Sequence, residues 1–224
     1  ETFQDLLRGN EDFALPSLHR DLTTRTVLAM SYMPSMPIES VMEAPQEERD
    51  RVVTLLMGLM LRELFEFQVM QTDPNFANYR IEKKTGRIVL LDFGATRQLT
   101  QAHADGYRDL FRAGLASDPD AVREAGNALG ILDAASFAEH SARLMEIIEL
   151  SVEPIRHAGP YDFGASDLAL RLRDAGWALR AEDAFYHVPP ADTAFLHRKF
   201  GGLYLLARKL RARVDVGRLL TPYL

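Results

Sequence analysis

Two short motifs at a fixed spacing constrain this chain more than any other feature. Within QTDPNFAN, Asp73 stands five residues ahead of Asn78, and Asp92-Phe93-Gly94 follows downstream. Asn78 to Glu82 and Arg87 to Phe93 read as two strands around the Lys84-Thr85-Gly86 turn. Upstream, after Pro45, QEERDRVVTLLMGLMLRELFEFQVM carries apolar residues at helical spacing, with Glu47 and Glu48 in the first turn, where the helix dipole favours anions. The order is therefore a long buried helix, a loop, and a hairpin whose second strand runs into Asp92. From Gln101 onward strand signals vanish, and helices are expected near 101–116, 119–129, 134–150, 165–180 and 191–213. The fold class is α+β and predominantly helical. Near the start, Thr26 to Tyr32 is a β-rich apolar run ended by Pro34 and Pro37, which predicts a short buried strand followed by a stiff connector. No internal repeat or linker divides the chain.

Composition narrows the partners. A net charge of −6 argues against nucleic acid, whose binders present a basic field to phosphates. Without Cys there is neither disulfide nor thiolate chemistry, which fits a reducing compartment. The longest nearly apolar stretch, Val52 to Leu61, is only about half of what spans a bilayer. The chain opens on Glu1 rather than Met, so the numbering is expected to begin inside a longer polypeptide.

The spacing of Asp73, Asn78 and Asp92 resembles the protein-kinase pattern, and their roles are assigned by that match. A catalytic-loop Asp orients the acceptor, an Asn five positions on binds metal, and the Asp of D-F-G binds Mg²⁺. Mg²⁺ takes hard oxygen ligands, and an amide and a carboxylate from neighbouring strands supply them. The expected cofactors are ATP and Mg²⁺, with Asp73 catalytic and Asn78 and Asp92 on the metal. Each motif alone is weak, and Asp73-Pro74-Asn75 by itself is a turn. Together, in order, on a helix, loop and hairpin, they become specific. A second copy, Asp162-Phe163-Gly164, follows Gly159-Pro160-Tyr161 with no expected strand and no catalytic-loop motif before it, so it is read as structural. If Thr26 to Met30 is the strand before a hinge, Met30 backs an adenine pocket, and the Ser31 carbonyl and Met33 amide bond its edges. The same residues also read as a Met-rich strand end. On this reading residues 1–36 are the end of an N-terminal lobe with the hinge, and 37–224 are the helical C-terminal lobe.

The string MQTDPNFANYRIEKKTGRIVLLDFGATRQL, preceded by LRELFEF and followed by LHRKFGGLYLLARKL (Leu196 to Leu210), resembles the UbiB family of atypical kinases. The similarity covers most of the chain, and the downstream L-H-R-K-x-G-G element belongs to that family rather than to kinases in general. The resemblance implies a kinase-like fold with atypical nucleotide use, ATPase rather than protein kinase activity, and a supporting role in ubiquinone synthesis near a membrane, cytoplasmic or on the matrix side of an inner membrane. Quinone-lipid biosynthesis proteins and an anionic membrane surface are the implied partners.

Departures from ordinary kinases are visible. Gln71 and Thr72 stand where H-R-D places His and Arg, no A-P-E follows, and only a short linker separates Asp92-Phe93-Gly94 from the helix near Gln101. A small molecule or water is thus the expected acceptor. The first Lys is Lys83, so the Lys that pairs the α- and β-phosphates is expected in a missing N-terminal lobe. His197, Arg198, Lys199, Arg208, Lys209, Arg211 and Arg213 give the last helix a basic cast, read as a solvated face or as a contact for anionic lipid. Two rival functions remain open: a small-molecule phosphotransferase, and a nucleotide-binding pseudokinase scaffold.

Overall fold

The computed structural model describes residues 1–132, 134–181 and 189–224, with side chains from 137 onward in the helix that begins at Ala134. The chain opens with a short helix α1 (Thr2–Leu6) and strand β1 (Phe13–Ala14), and β2 (Ser35–Pro37) follows. Helix α2 (Gln46–Arg62) starts behind Pro45 with Glu47 and Glu48 in its first turn and Arg62 in its last, charges that complement the helix dipole. Val52, Val53, Leu56, Met57, Leu59 and Met60 are buried on it, so α2 is apolar around most of its girth and runs through the core.

Next come β3 (Val69–Gln71), β4 (Tyr79–Glu82), β5 (Ile88–Leu90) and β6 (Thr96–Gln98). β4 and β5 form the expected hairpin, and Gly86, with φ of 72°, supplies the left-handed turn residue between them. They are the centre of a four-stranded sheet in the order β1-β5-β4-β2, with β1 parallel to β5 and β2 antiparallel to β4. β3 and β6 make a separate antiparallel ribbon.

The rest is helical: α3 (Gln101–Ala116), α4 (Pro119–Ala128), α5 (Ala134–Arg156), α6 (Leu168–Ala181) and α7 (Ala191–Lys209). Local chemistry sets several of these boundaries. Thr100 and His103 form a capping box at the start of α3, Ser117 in the left-handed region ends it, and Asp118 caps α4 with Pro119 in its first turn. A last ribbon pairs β7 (Tyr161–Asp162) with β8 (Arg213–Val214), and α8 (Val216–Leu220), capped by Asp215, closes the fold. One large core takes side chains from α1, α2, the four-stranded sheet, α7 and α8, and a smaller one sits among α3, α4, α5 and α6.

Four expectations need correction. Thr26 to Tyr32 is not a buried strand: Leu18 and Met30 make an isolated bridge, and Val27, Leu28 and Tyr32 are exposed. A β-rich run becomes a strand only against a sheet edge, and here it closes on its own neighbours, His19 donating to the Ala29 carbonyl and Ser31 to that of Ser17. The helix after Pro45 does not reach Met70, because a π-helical turn, Glu63–Phe67, and Gln68 at φ of 53° turn the chain into β3. Strands recur after Gln101, as β7 and β8 are each two residues long and too short to show alternation. The last helix stops at Lys209 rather than 213, since Arg211 takes φ of 50° and leads into β8.

Candidate functional site

The π-helical turn at the end of α2 gives the chain its entry to the Asp73 loop. Such turns often mark functional positions, because the extra residue re-aims a side chain. Here Glu63 is directed inward and is 1% exposed. β3 then pairs with β6, Gln71 opposite Thr96. Immediately after it, the Thr72 amide and hydroxyl both donate to the Ala95 carbonyl, at 3.1 and 2.7 Å. The loop is thereby pinned to the segment that follows Asp92-Phe93-Gly94.

At its other end the loop closes on itself. The Asn75 side chain accepts from the Ala77 amide at 3.1 Å, and the Asn78 amide donates to the Asn75 carbonyl at 3.0 Å. Asn78 stands directly before β4, and the Leu91 amide donates to its carbonyl at 3.1 Å, which sets Asn78 one residue from Asp92 across the hairpin. The Asn78 Nδ2 donates to Asp73 Oδ2 at 2.9 Å. That bond commits the amide nitrogen and leaves the amide oxygen as a hard donor. Asp92 Oδ1 accepts from the Gly94 amide at 2.8 Å, an Asx turn that leaves Oδ2 for other partners. Phe93 packs on Phe3 of α1, ring centroids 4.8 Å apart. The structure thus joins Asp73 to Asn78 and sets Asn78 beside the Asp92 turn. Among the described residues no group of three or more His, Cys, Asp or Glu could hold a metal by itself. The Asp92 carboxylate and the Asn78 amide oxygen instead make an incomplete hard-ligand set, of the kind Mg²⁺ completes with water and phosphate oxygens.

Helix α7 reaches this loop from behind. Arg198 Nη2 lies 3.8 Å from Asp73 Oδ1, an exposed pair worth little in energy. Gly202 packs so closely on Pro74 that a Cβ there would collide with the proline ring. Lys199, expected on a solvated face, is 2% exposed: it lies on the buried stripe Leu196, Leu203, Leu206 and Leu210. Its Nζ donates to Tyr79 Oη at 2.9 Å and to Gln71 Oε1 at 3.2 Å, and is 3.5 Å from Glu63 Oε2. Burial pushes the Glu63 carboxyl up from its ordinary 4.5 to about 7, against the pull of Lys199 and a backbone hydrogen bond from Gln71. Burial alone would depress the Lys199 ammonium, but the charge of Glu63 and the phenol of Tyr79 outweigh it and hold it raised. Glu63, Gln71, Tyr79 and Lys199 were not singled out as site residues. Their signal was a charge placed on an apolar helical stripe, Glu63 inside LRELFEF and Lys199 three residues after Leu196.

Met30, Ser31 and Met33 lie in the irregular stretch before β2. Met30 is 46% exposed, Ser31 is paired with Ser17, and the Met33 carbonyl accepts from the Ser35 hydroxyl at 2.9 Å. The second D-F-G forms the same local turn, Asp162 Oδ1 accepting from the Gly164 amide at 3.0 Å, but its surroundings differ. Its other oxygen lies 3.3 Å from Arg213 on β8. No helix among the described residues is long and apolar enough to cross a membrane.

Known proteins share both the fold and the sequence. The structure of Rv3197 with erythromycin from Mycobacterium tuberculosis superposes with a TM-score of 0.70 at 16% identity, covering 98% of this chain and 54% of that one, which establishes the kinase-like fold. The atypical kinase COQ8B, mitochondrial, of Rattus norvegicus is 33% identical over 96% of this chain, and the atypical kinase COQ8, mitochondrial, of Saccharomyces cerevisiae is 30% identical over 98%. The chain spans 40% and 44% of the length of those two relatives. The profile of the ABC1 atypical kinase-like domain matches residues 1–126, more than half the chain. As the resemblance to UbiB proteins implied, the chain belongs to the ABC1 family of atypical kinases.

Proposed function

We propose that this chain carries the Mg²⁺ and catalytic half of an atypical kinase that binds ATP and acts as an ATPase or small-molecule phosphotransferase in support of ubiquinone biosynthesis. The observation that carries the reading is the bond from Asn78 Nδ2 to Asp73 Oδ2, with Asn78 held one residue from Asp92 across the β4–β5 hairpin. In this reading Asn78 offers its amide oxygen and Asp92 its free carboxylate oxygen to Mg²⁺, and Asp73 orients the attacking water or hydroxyl and accepts its proton. Bound Mg²⁺ supplies charge neutralisation at the phosphate oxygens. The protein contributes position: all three side chains sit on a loop and hairpin fixed at both ends, and preorganised placement carries much of the rate in this chemistry.

The short passage from Gly94 through β6 to α3 leaves little chain to dock a peptide, which favours water or a small acceptor. Adenine stays assigned to Met30, the Ser31 carbonyl and the Met33 amide, although these lie in an irregular stretch rather than on a hinge strand. The cation for the α- and β-phosphates would come from an N-terminal lobe beyond these residues, and the membrane side of quinone-lipid synthesis would supply the partners. Phosphate release from Mg–ATP by the intact protein tests the reading: Asp73→Asn should reduce it by a factor of at least roughly 100, the usual scale for a positioned proton acceptor. Equal rates in the two proteins would remove Asp73 from the mechanism.

A further inference from the structure

The buried group at Lys199 lies outside the three residues just assigned, and it touches both ends of the loop that carries them. Gln71 is the last residue of β3, two before Asp73, and Tyr79 is the first of β4, directly after Asn78. One ammonium on α7 donates to both side chains, at 3.2 and 2.9 Å. Glu63, in the π-helical turn that ends α2, balances its charge from the opposite side at 3.5 Å. A small cavity of about 10 Å³ is lined by Glu63, Gln71 and Lys199 and also by Asn78 and Asp92, so the cluster stands directly behind the proposed metal ligands. We propose that Lys199, with Glu63 as its counter-charge, is a positioning residue that clasps the two ends of the Gln71–Tyr79 loop and so sets Asp73 and Asn78 against Asp92.

Stability alone is a poor reason for such a group. Taking both an ammonium and a carboxylate out of water is costly, and apolar residues of similar volume often serve a core as well or better. The other buried positions of α7 are Thr193, Leu196, Leu203, Leu206 and Ala207, and a leucine at 199 would complete the packing without that penalty. Leucine, however, has no donors with which to join Gln71 to Tyr79. The placement of Gly202 on Pro74 brings α7 close to the loop from a second point, so one helix fixes the loop by a polar clasp and by backbone proximity. The peptide amides of the loop's own turn would hold its shape, while the clasp sets where that shape lies relative to β5 and the Asp92 turn.

The role in catalysis rests on the proposed function; the clasping of the loop does not. The test removes both charges and keeps the volume, in the double variant Glu63→Leu/Lys199→Met of the intact protein, with Tyr79→Phe as a milder variant that takes away one acceptor. Hydrogen exchange without nucleotide is the first readout: the amides of 71–79 should exchange roughly tenfold faster in the double variant, and by a smaller factor in Tyr79→Phe, while α2 and α7 stay protected. The second is the Mg²⁺ concentration giving half of the stabilisation by ATP, which should rise in both. Protection of 71–79 equal to wild type in a folded double variant, or in Tyr79→Phe if the double variant does not fold, overturns the proposal. A faster-exchanging loop with an unchanged Mg²⁺ requirement overturns the catalytic part of it. Asp92→Asn in the otherwise wild-type protein reports separately on the metal reading, since it leaves the clasp intact.

Discussion

Glu63 shows how a residue's environment, rather than its type, sets its chemistry. Its carboxyl is pushed from 4.5 to about 7 because burial penalises the charged form. Between pH of about 4.5 and about 7 the folded chain keeps a proton at Glu63 that the unfolded chain has released, and above that range the carboxylate stands charged against Lys199, so this residue's contribution to stability falls as pH rises through that interval. Lys199, Tyr79 and Gln71 are the groups that face it. Thermal melts across that range should show wild type losing stability relative to Glu63→Gln as pH rises, and a constant difference would contradict the assignment. At this scale the sequence was legible where spacing encodes geometry: Asp73 and Asn78, five residues apart, share a hydrogen bond, and Asn78 lies one residue from Asp92 across the hairpin. Lys199 was not legible, because a lysine on a helix normally extends to water, and only the packed position of α7 shows that its ammonium cannot.

Among elements, legibility followed the locality of the determining interactions. Helix α3 spans the expected 101–116 because its capping box and the left-handed Ser117 lie within its own sequence. The β4–β5 hairpin was readable for the same reason, with Gly86 at its turn. The run from Thr26 to Tyr32 was misread because a strand is a relation to a partner, and β7 and β8 were missed because their pairing joins Tyr161 to Val214, far apart in sequence. The contact of α7 with the catalytic loop is equally non-local. At Gly202 a methyl group would meet Pro74, and the overlap falls on a ring held in the loop rather than on a flexible chain end. Gly202→Val is expected to lower stability by about 1–3 kcal/mol, the usual scale of overpacking, in chemical denaturation. Stability within about 0.5 kcal/mol of wild type would show that α7 does not press on the loop.

For the whole molecule, the main core joins α1, α2, the sheet, α7 and α8, so the segments that carry Asp73, Asn78 and Asp92 are set on one packed body. The fold class followed from helical periodicity and the family from the D-P-N-x-x-N, L-D-F-G-A-T-R and L-H-R-K-x-G-G strings, each a local pattern. What periodicity could not supply was the depth of α7, which depends on how distant apolar stripes find each other. The central claim is that Asn78 and Asp92 hold Mg²⁺ for ATP, and thermal stabilisation of the intact protein by ATP with and without Mg²⁺ tests it most directly. At a hundredfold excess over Kd a ligand of the folded state adds about 2.7 kcal/mol. Wild type and Asp162→Asn, altered only in the second D-F-G, should show this Mg²⁺-dependent shift, and Asp92→Asn should lose it. An undiminished shift in Asp92→Asn, or its loss in a folded Asp162→Asn protein, would contradict the account.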